Sequence, residues 1–308
     1  MEDIMDRRSF IASGIAAGVA MTSVISTSTA KEISKGAGKG FKLKYAPSLS
    51  CFKHHAGKDP IDNIRFIGDQ GFRAIFDNRL MKKPADLQKK IASTLKKSGM
   101  DLGPFVGFAN FKEESFVLDP SEVKDGLVKN ARECVEVRKR TGAKWVLVVP
   151  GRYNQRLEWD YQTANVIENL KYCSEICQKA GLVIVLEPLN QHNHPGLFLT
   201  KMPQSYQICK AVNSPSCKIV DDVYHQQITE GNLIPNIDRC WSEIAAFHLG
   251  DNPGRKEPGT GEINFKNIFK HISKKGFDGV LCMEHGNSIK GKEGELALIE
   301  AYRKADSF

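Results

Sequence analysis

The feature that most constrains this chain is an alternation. From residue 42 onward, short apolar runs are followed by longer amphipathic stretches, with Gly or Pro at the junctions. The short runs predict strands over 43–49, 72–76, 103–108, 145–149, 182–186, 217–220, 244–247 and 279–283. Helix-like stretches between them include 61–69, 84–98, 121–141 and 162–179, several closed by a glycine such as Gly142 or Gly181. Strands apolar throughout, each followed by a helix, belong to a parallel sheet covered on both faces. Eight such units predict an α/β fold, a single (β/α)8 TIM barrel over residues 42–308. A doubly wound open sheet would have fewer strands and a GxGxxG turn after the first, which this chain lacks.

The later strands end on a pattern. VIVL ends in Glu187, KIVD in Asp222, IAAF in His248 and VLCM in Glu284, one strand–helix unit apart each time. In a barrel these residues reach the C-terminal rim, where such folds place their chemistry. Three carboxylates and an imidazole make a hard, oxygen-rich set. It suits one divalent metal ion, Mn2+ or Mg2+ by preference, with Zn2+ or Co2+ able to compete. A single polar residue at a strand end reads as a helix cap; four of ligand type in successive units read as a site.

The N-terminus reads as an address. Asp6-Arg7-Arg8-Ser9-Phe10 has the form of a twin-arginine motif, followed by a weakly apolar stretch and the small residues Ser28-Thr29-Ala30. Residues 1–30 are therefore expected to be a twin-arginine signal peptide ending on small residues of the kind a signal peptidase prefers, with a linker over 31–41 and a periplasmic or exported destination. The stretch is too short for stable membrane insertion. The eight cysteines include no CxxC pair, and Cys173 with Cys177 is expected in the core. The net charge of +8 is spread without a basic, aromatic-interleaved cluster, so nucleic acid is not an expected partner. Expected partners are a small-molecule substrate, the twin-arginine export machinery and further copies of the chain in a homo-oligomer.

VLEPLN (185–190), DVYHQQI (222–228), FHLGDNPGRKEPGTGEINF (247–265) and MEHG (283–286) resemble the hydroxypyruvate isomerase family, in particular its exported branch with a twin-arginine leader. That family lies within the xylose-isomerase-like barrel superfamily. The resemblance extends through GFRAIFDN, VVPGRYN, YQTANVIENL and HPGLFLTK to nearly the whole chain after the leader. It implies that Glu187, Asp222, His248 and Glu284 bind one divalent metal and that Glu187 and Glu284 also transfer protons. It implies substrate contacts for His225 and Arg255. Two positions depart from the pattern: Phe76-Asp77-Asn78 ends the second strand where many relatives have Glu, and Asp221 stands where close relatives are apolar or aromatic.

The implied reaction interconverts hydroxypyruvate and tartronate semialdehyde through an enediolate, a metal-dependent aldose–ketose type isomerisation of a small hydroxy-carbonyl acid. The same residues also permit a ketose 3-epimerase or inosose-type enzyme on a larger polyol. Further candidates for the pocket are His55 after the first strand, Asn190 and His194 in the loop after Glu187, and Glu257 in the EPGTGE loop. An abasic-site endonuclease would need additional His and Asp ligands on earlier strands, but those strands end in Phe108-Ala109-Asn110 and Val149-Pro150. A non-catalytic sugar-binding protein would not need both Glu187 and Glu284.

Overall fold

The computed structural model describes residues 40–308. The expected signal peptide and all but the last two residues of the expected linker lie outside them. Phe41 is buried, stacked on Phe72 with ring centroids 4.6 Å apart.

The elements run β1 (Lys44–Ala46), α1 (Lys53–Ala56), α2 (Pro60–Asp69), β2 (Ala74–Ile75), α3 (Ala85–Lys97), β3 (Asp101–Leu102), β4 (Phe105–Ala109), α4 (Pro120–Thr141), β5 (Trp145–Val149) and α5 (Trp159–Lys179). They continue through β6 (Val183–Leu186), α6 (Met202–Val212), β7 (Cys217–Asp222), α7 (Val223–Thr229), α8 (Leu233–Cys240), β8 (Ile244–His248), α9 (Phe265–Lys274), β9 (Val280–Cys282) and α10 (Gly291–Ala305). All strand pairings are parallel. Seven strands form one sheet in the order β1-β9-β8-β7-β6-β5-β4, and β2 pairs with β3.

The two pieces join into a barrel. Phe76 donates its N–H to Pro47 O and accepts from Leu49 N, both at 3.1 Å, which links β2 to β1. On the other side the expected third strand, 103–108, is observed as β4, and a short further strand, β3, lies just before it. Between them Pro104 has no N–H to give the ladder, so the pairing breaks there. Gly103 bridges the break, donating to Ile75 O at 2.7 Å; a Cβ there would lie 2.8 Å from Phe76 Cβ.

The helices form for local reasons. Helix α4 starts at Pro120 behind Asp119, whose carboxylate accepts from Ser121 N, and buries Leu127, Ala131, Cys134 and Val137 along one stripe. It stops at Gly142, which has a φ of 73° and donates to Arg138 O. Cys173 and Cys177 lie in the core, and all eight cysteines are free thiols. No helix of the described residues is long and apolar enough to cross a membrane.

Strand parity divides the core into two layers. Val146 and Val148 of β5 pack outward against helices, while Leu147 and Val149 join Val185, Val220, Ala246, Val280 and Cys282 inside the barrel. Two residues beyond each of the last inward positions come Glu187, Asp222, His248 and Glu284. Parity therefore aims all four into the lumen at its C-terminal end.

Candidate active site

The four ligand-type atoms converge. One from each of Glu187, Asp222, His248 and Glu284 all lie within 4.8 Å of one another. His248 is fully buried, with Nδ1 at 2.8 Å from Glu187 Oε1 and 3.1 Å from Glu284 Oε2. Asp222 Oδ2 is 2.8 Å from Arg255 Nη2, which also contacts Glu284 Oε2 at 2.5 Å. Asp222 doubles as the cap of α7, accepting from His225 N.

The electrostatics are those of an anion-rich floor. Burial, and then the neighbouring Glu284 carboxylate, push Glu187 up to about 7, although His248 pulls the other way. Burial opposes charge on Glu284 too, but His248 and Arg255 outweigh it and hold its carboxyl far below the usual range. His248 is raised well above the ordinary imidazole value: desolvation resists this, and the carboxylates of Glu284 and Glu187 prevail. Three buried or half-buried carboxylates, two of them paired to one guanidinium, together with the His248 imidazole are a donor set that suits a divalent cation, so these residues fit one.

The other expected residues divide. His225 is buried beside the floor, with Nε2 at 3.0 Å from Arg255 Nη1. Burial depresses His225 to about 4, so its imidazole is neutral. Asn190, fully buried, places its N–H 3.2 Å from His225 Nδ1 and so acts on the ring's orientation. His194 lines the cavity above the floor, its ring 5.4 Å from that of His225. His55 and Glu257 are engaged elsewhere. His55 Nδ1 pairs with Glu295 at 2.6 Å and its ring stacks on Phe66. Glu257 accepts from Ser288 N at 2.9 Å and from the Ser288 hydroxyl, tying its loop to the one after β9.

Sequence reasoning missed two contributors. Asn78 donates from Nδ2 to Glu284 Oε1 at 2.6 Å. Parity was the available signal, since Ala74 and Phe76 face the lumen and Asn78 continues the series. Asp77 points the other way and pairs with Lys83 at 3.0 Å, so the departure from the usual Glu leaves an amide, not an acid, over the floor. The second contributor is Asp251. Fully buried, its carboxylate accepts four backbone N–H groups, from Asn252, Gly259, Gly261 and Ile263, at 2.8–3.1 Å. It organises the loop that carries Arg255. The signal was an Asp in a segment dense in Gly and Pro, where a carboxylate collects turn N–H groups.

The sequence profile described as xylose isomerase-like TIM barrel matches residues 64–305. The chain belongs to that family. Among its relatives in the xylose isomerase-like TIM barrel family is the hydroxypyruvate isomerase of Escherichia coli, 29% identical over 182 residues, 59% of this chain and 69% of that one. The 2-oxo-tetronate isomerase of Cupriavidus necator is 31% identical over 139 residues, 45% and 53% of the two chains. A solved AP endonuclease, family 2, from Brucella melitensis superimposes with a TM-score of 0.71 at 21% identity, covering 82% of this chain and 96% of that one. That likeness is one of fold. The isomerases among its relatives mark this xylose isomerase-like barrel as an isomerase-class enzyme.

Proposed function

We propose that the chain is a divalent-metal-dependent isomerase of a small hydroxy-carbonyl acid, converting hydroxypyruvate to tartronate semialdehyde. The observation that carries this reading is the meeting of Glu187 and Glu284, from the ends of different strands, on either side of His248 Nδ1. Glu187, Asp222, His248 and Glu284 would hold the metal, which when bound supplies Lewis-acid polarisation of the substrate's carbonyl and hydroxyl oxygens.

The chain's own groups divide the remaining work. A carboxylate oxygen of one glutamate takes a proton from the hydroxymethyl carbon, giving an enediolate, and a proton is delivered to the neighbouring carbon. The hydroxyl proton passes to the former carbonyl oxygen, so the product is an isomer and no oxidant is consumed. Arg255, 2.5 Å from Glu284 and 2.8 Å from Asp222, balances the negative charge of the floor. Asn78 fixes the Glu284 carboxylate through its other oxygen. The site lies in a cavity of about 580 Å3 that is open to solvent and roomy for a three-carbon acid.

The test is solvent-proton exchange in deuterated water across a panel of hydroxypyruvate, tetronates and ketoses, with metal-replete and metal-depleted protein. Deuterium entering hydroxypyruvate and its product, with loss on metal depletion and recovery on Mn2+ or Mg2+ addition, is the expected result. Exchange confined to larger ketoses, with inversion at one carbon, would replace this reading by the epimerase. Residues 1–30 we assign to twin-arginine export of the folded enzyme to the periplasm, on the strength of Arg7-Arg8 and the small residues at Ala30.

A further inference from the structure

The cavity above the acidic floor has a cationic wall that the reaction scheme leaves unused. Arg79 and Lys82 line the same cavity as Glu187 and Glu284. Both come from the loop after β2, and Arg79 follows Asn78, whose amide touches Glu284. Arg79 also lines a neighbouring cavity of about 570 Å3 that shares Asn78 and Glu284 as wall.

The loop is built to present these two side chains together. Residues 80–82 form a 3-10 turn with Arg79 as its N-cap. Side chains three apart in such a turn eclipse one another, which sets Arg79 and Lys82 on one face. Leu80 between them is fully buried as an anchor. From α3 the buried Gln88 donates through Nε2 to Leu80 O at 3.0 Å and Lys83 O at 2.9 Å, closing the turn. Asp77 takes up the third cation, Lys83, at 3.0 Å, and accepts from Arg79 N at 3.0 Å. Among the described residues, Arg79 and Lys82 have no carboxylate partner.

Arg255, by contrast, is committed to Asp222 and Glu284. It is held by the floor, so a substrate carboxylate would have to compete with two protein carboxylates for it. We propose that Arg79 and Lys82 are the specificity residues that receive the substrate's carboxylate, leaving the hydroxy-carbonyl end on the Glu187/Glu284 floor. This rests on the functional reading above and deepens it. A planar guanidinium matches a carboxylate bidentately and a nearby ammonium adds a second donor, whereas a neutral polyol gains little from either. Opposite charges at the two ends of one cavity also fix which end of a short acid reaches the floor.

The test is the affinity of tartronate, an unreactive hydroxy-dicarboxylate, measured by calorimetry on wild-type holoenzyme, Arg79→Gln, Lys82→Gln and the double variant. Lys90→Gln, an exposed lysine of α3, controls for net charge. Charge-assisted hydrogen bonds of this kind predict about 10-fold or greater weakening in the double variant, with the control within about twofold of wild type. No binding to wild type, unchanged affinity in the double variant, or an equal loss in Lys90→Gln overturns the assignment. The readout separates the two readings. Arg79- and Lys82-dependent tartronate binding without hydroxypyruvate turnover removes the proposed reaction and keeps the carboxylate site. Turnover with unaltered tartronate affinity does the reverse.

Discussion

Replacing Glu187 or Glu284 by Gln keeps the side-chain shape and removes both a charged ligand oxygen and a base. Proton-transfer groups contribute roughly 10²–10⁴-fold. Each variant is therefore expected to lose turnover by at least about that factor, with an unchanged circular dichroism spectrum; near-wild-type kcat in either would take that glutamate out of the chemistry. Asp221 is a different kind of residue. Strand parity turns it away from the lumen, it is fully buried, and neither carboxylate oxygen has a hydrogen-bond partner. Burial, followed by the charges of Asp222 and Glu230, raises it well above the ordinary aspartate value, which favours its protonated form in the folded protein. In the unfolded chain it ionises near pH 4, roughly the model-peptide value. Its contribution to stability is therefore complete below that pH and is lost as pH rises toward the native value. Asp221→Asn should melt higher than wild type at neutral pH, with the two curves converging near pH 4; a gap that stays constant with pH would show that Asp221 is ionised in the folded protein.

Among the elements, the loop between β8 and α9 depends most on a single side chain. Asp251 satisfies four N–H groups of this loop, and its backbone N–H and C=O pair with Lys256 O and Arg255 N at 2.8 and 2.9 Å. The loop is also tight: a Cβ on Gly261 would lie 2.2 Å from Asn252 O. Asp251→Ala leaves buried donors unsatisfied, at about 1–3 kcal/mol for each group that water does not reach. It also releases Arg255 from its position between Asp222 and Glu284. Melting temperature and kcat/KM should both fall in the order wild type, Asp251→Asn, Asp251→Ala, because Asn keeps one acceptor oxygen of the two. Equal values for Asp251→Ala and wild type would mean that the loop holds itself.

For the whole molecule, the proposed metal and the proposed leader are the levers. The four proposed ligands come from β7, β8 and the segments after β6 and β9, so an ion bound there would stabilise only the folded barrel. Chelation should lower the melting temperature and abolish turnover, and adding back Mn2+ or Mg2+ should restore both; unchanged melting in verified metal-free protein would exclude the four residues as a metal site. The proposed leader is expected to act on location alone. Arg7→Lys with Arg8→Lys should retain the enzyme in the cytoplasm at full specific activity, because the described barrel begins after it. Fractionation with an activity assay reads both outcomes, and continued appearance in the periplasm would remove the twin arginines from the export signal.

Periodicity was enough to determine the barrel, because an apolar strand followed by an amphipathic helix has few ways to bury both, and Trp145–Val149 falls where the pattern places it. The third strand was legible as β4, but the short β3 before it, set off by Pro104, was not, since the loss of a single N–H matters only once a neighbouring strand is present to receive it. The four ligand-type residues were legible for the same reason as the strands: a period of two sends residue types at fixed positions to one face. Partners were not legible. Nothing in the chain's local order says that Arg255 is taken by Asp222 and Glu284, that His55 meets Glu295 on the last helix, or that Asp77 turns to Lys83 and leaves Arg79 and Lys82 beside the cavity. Those choices are made between segments far apart in sequence, by which charges the closed barrel brings within reach of one another.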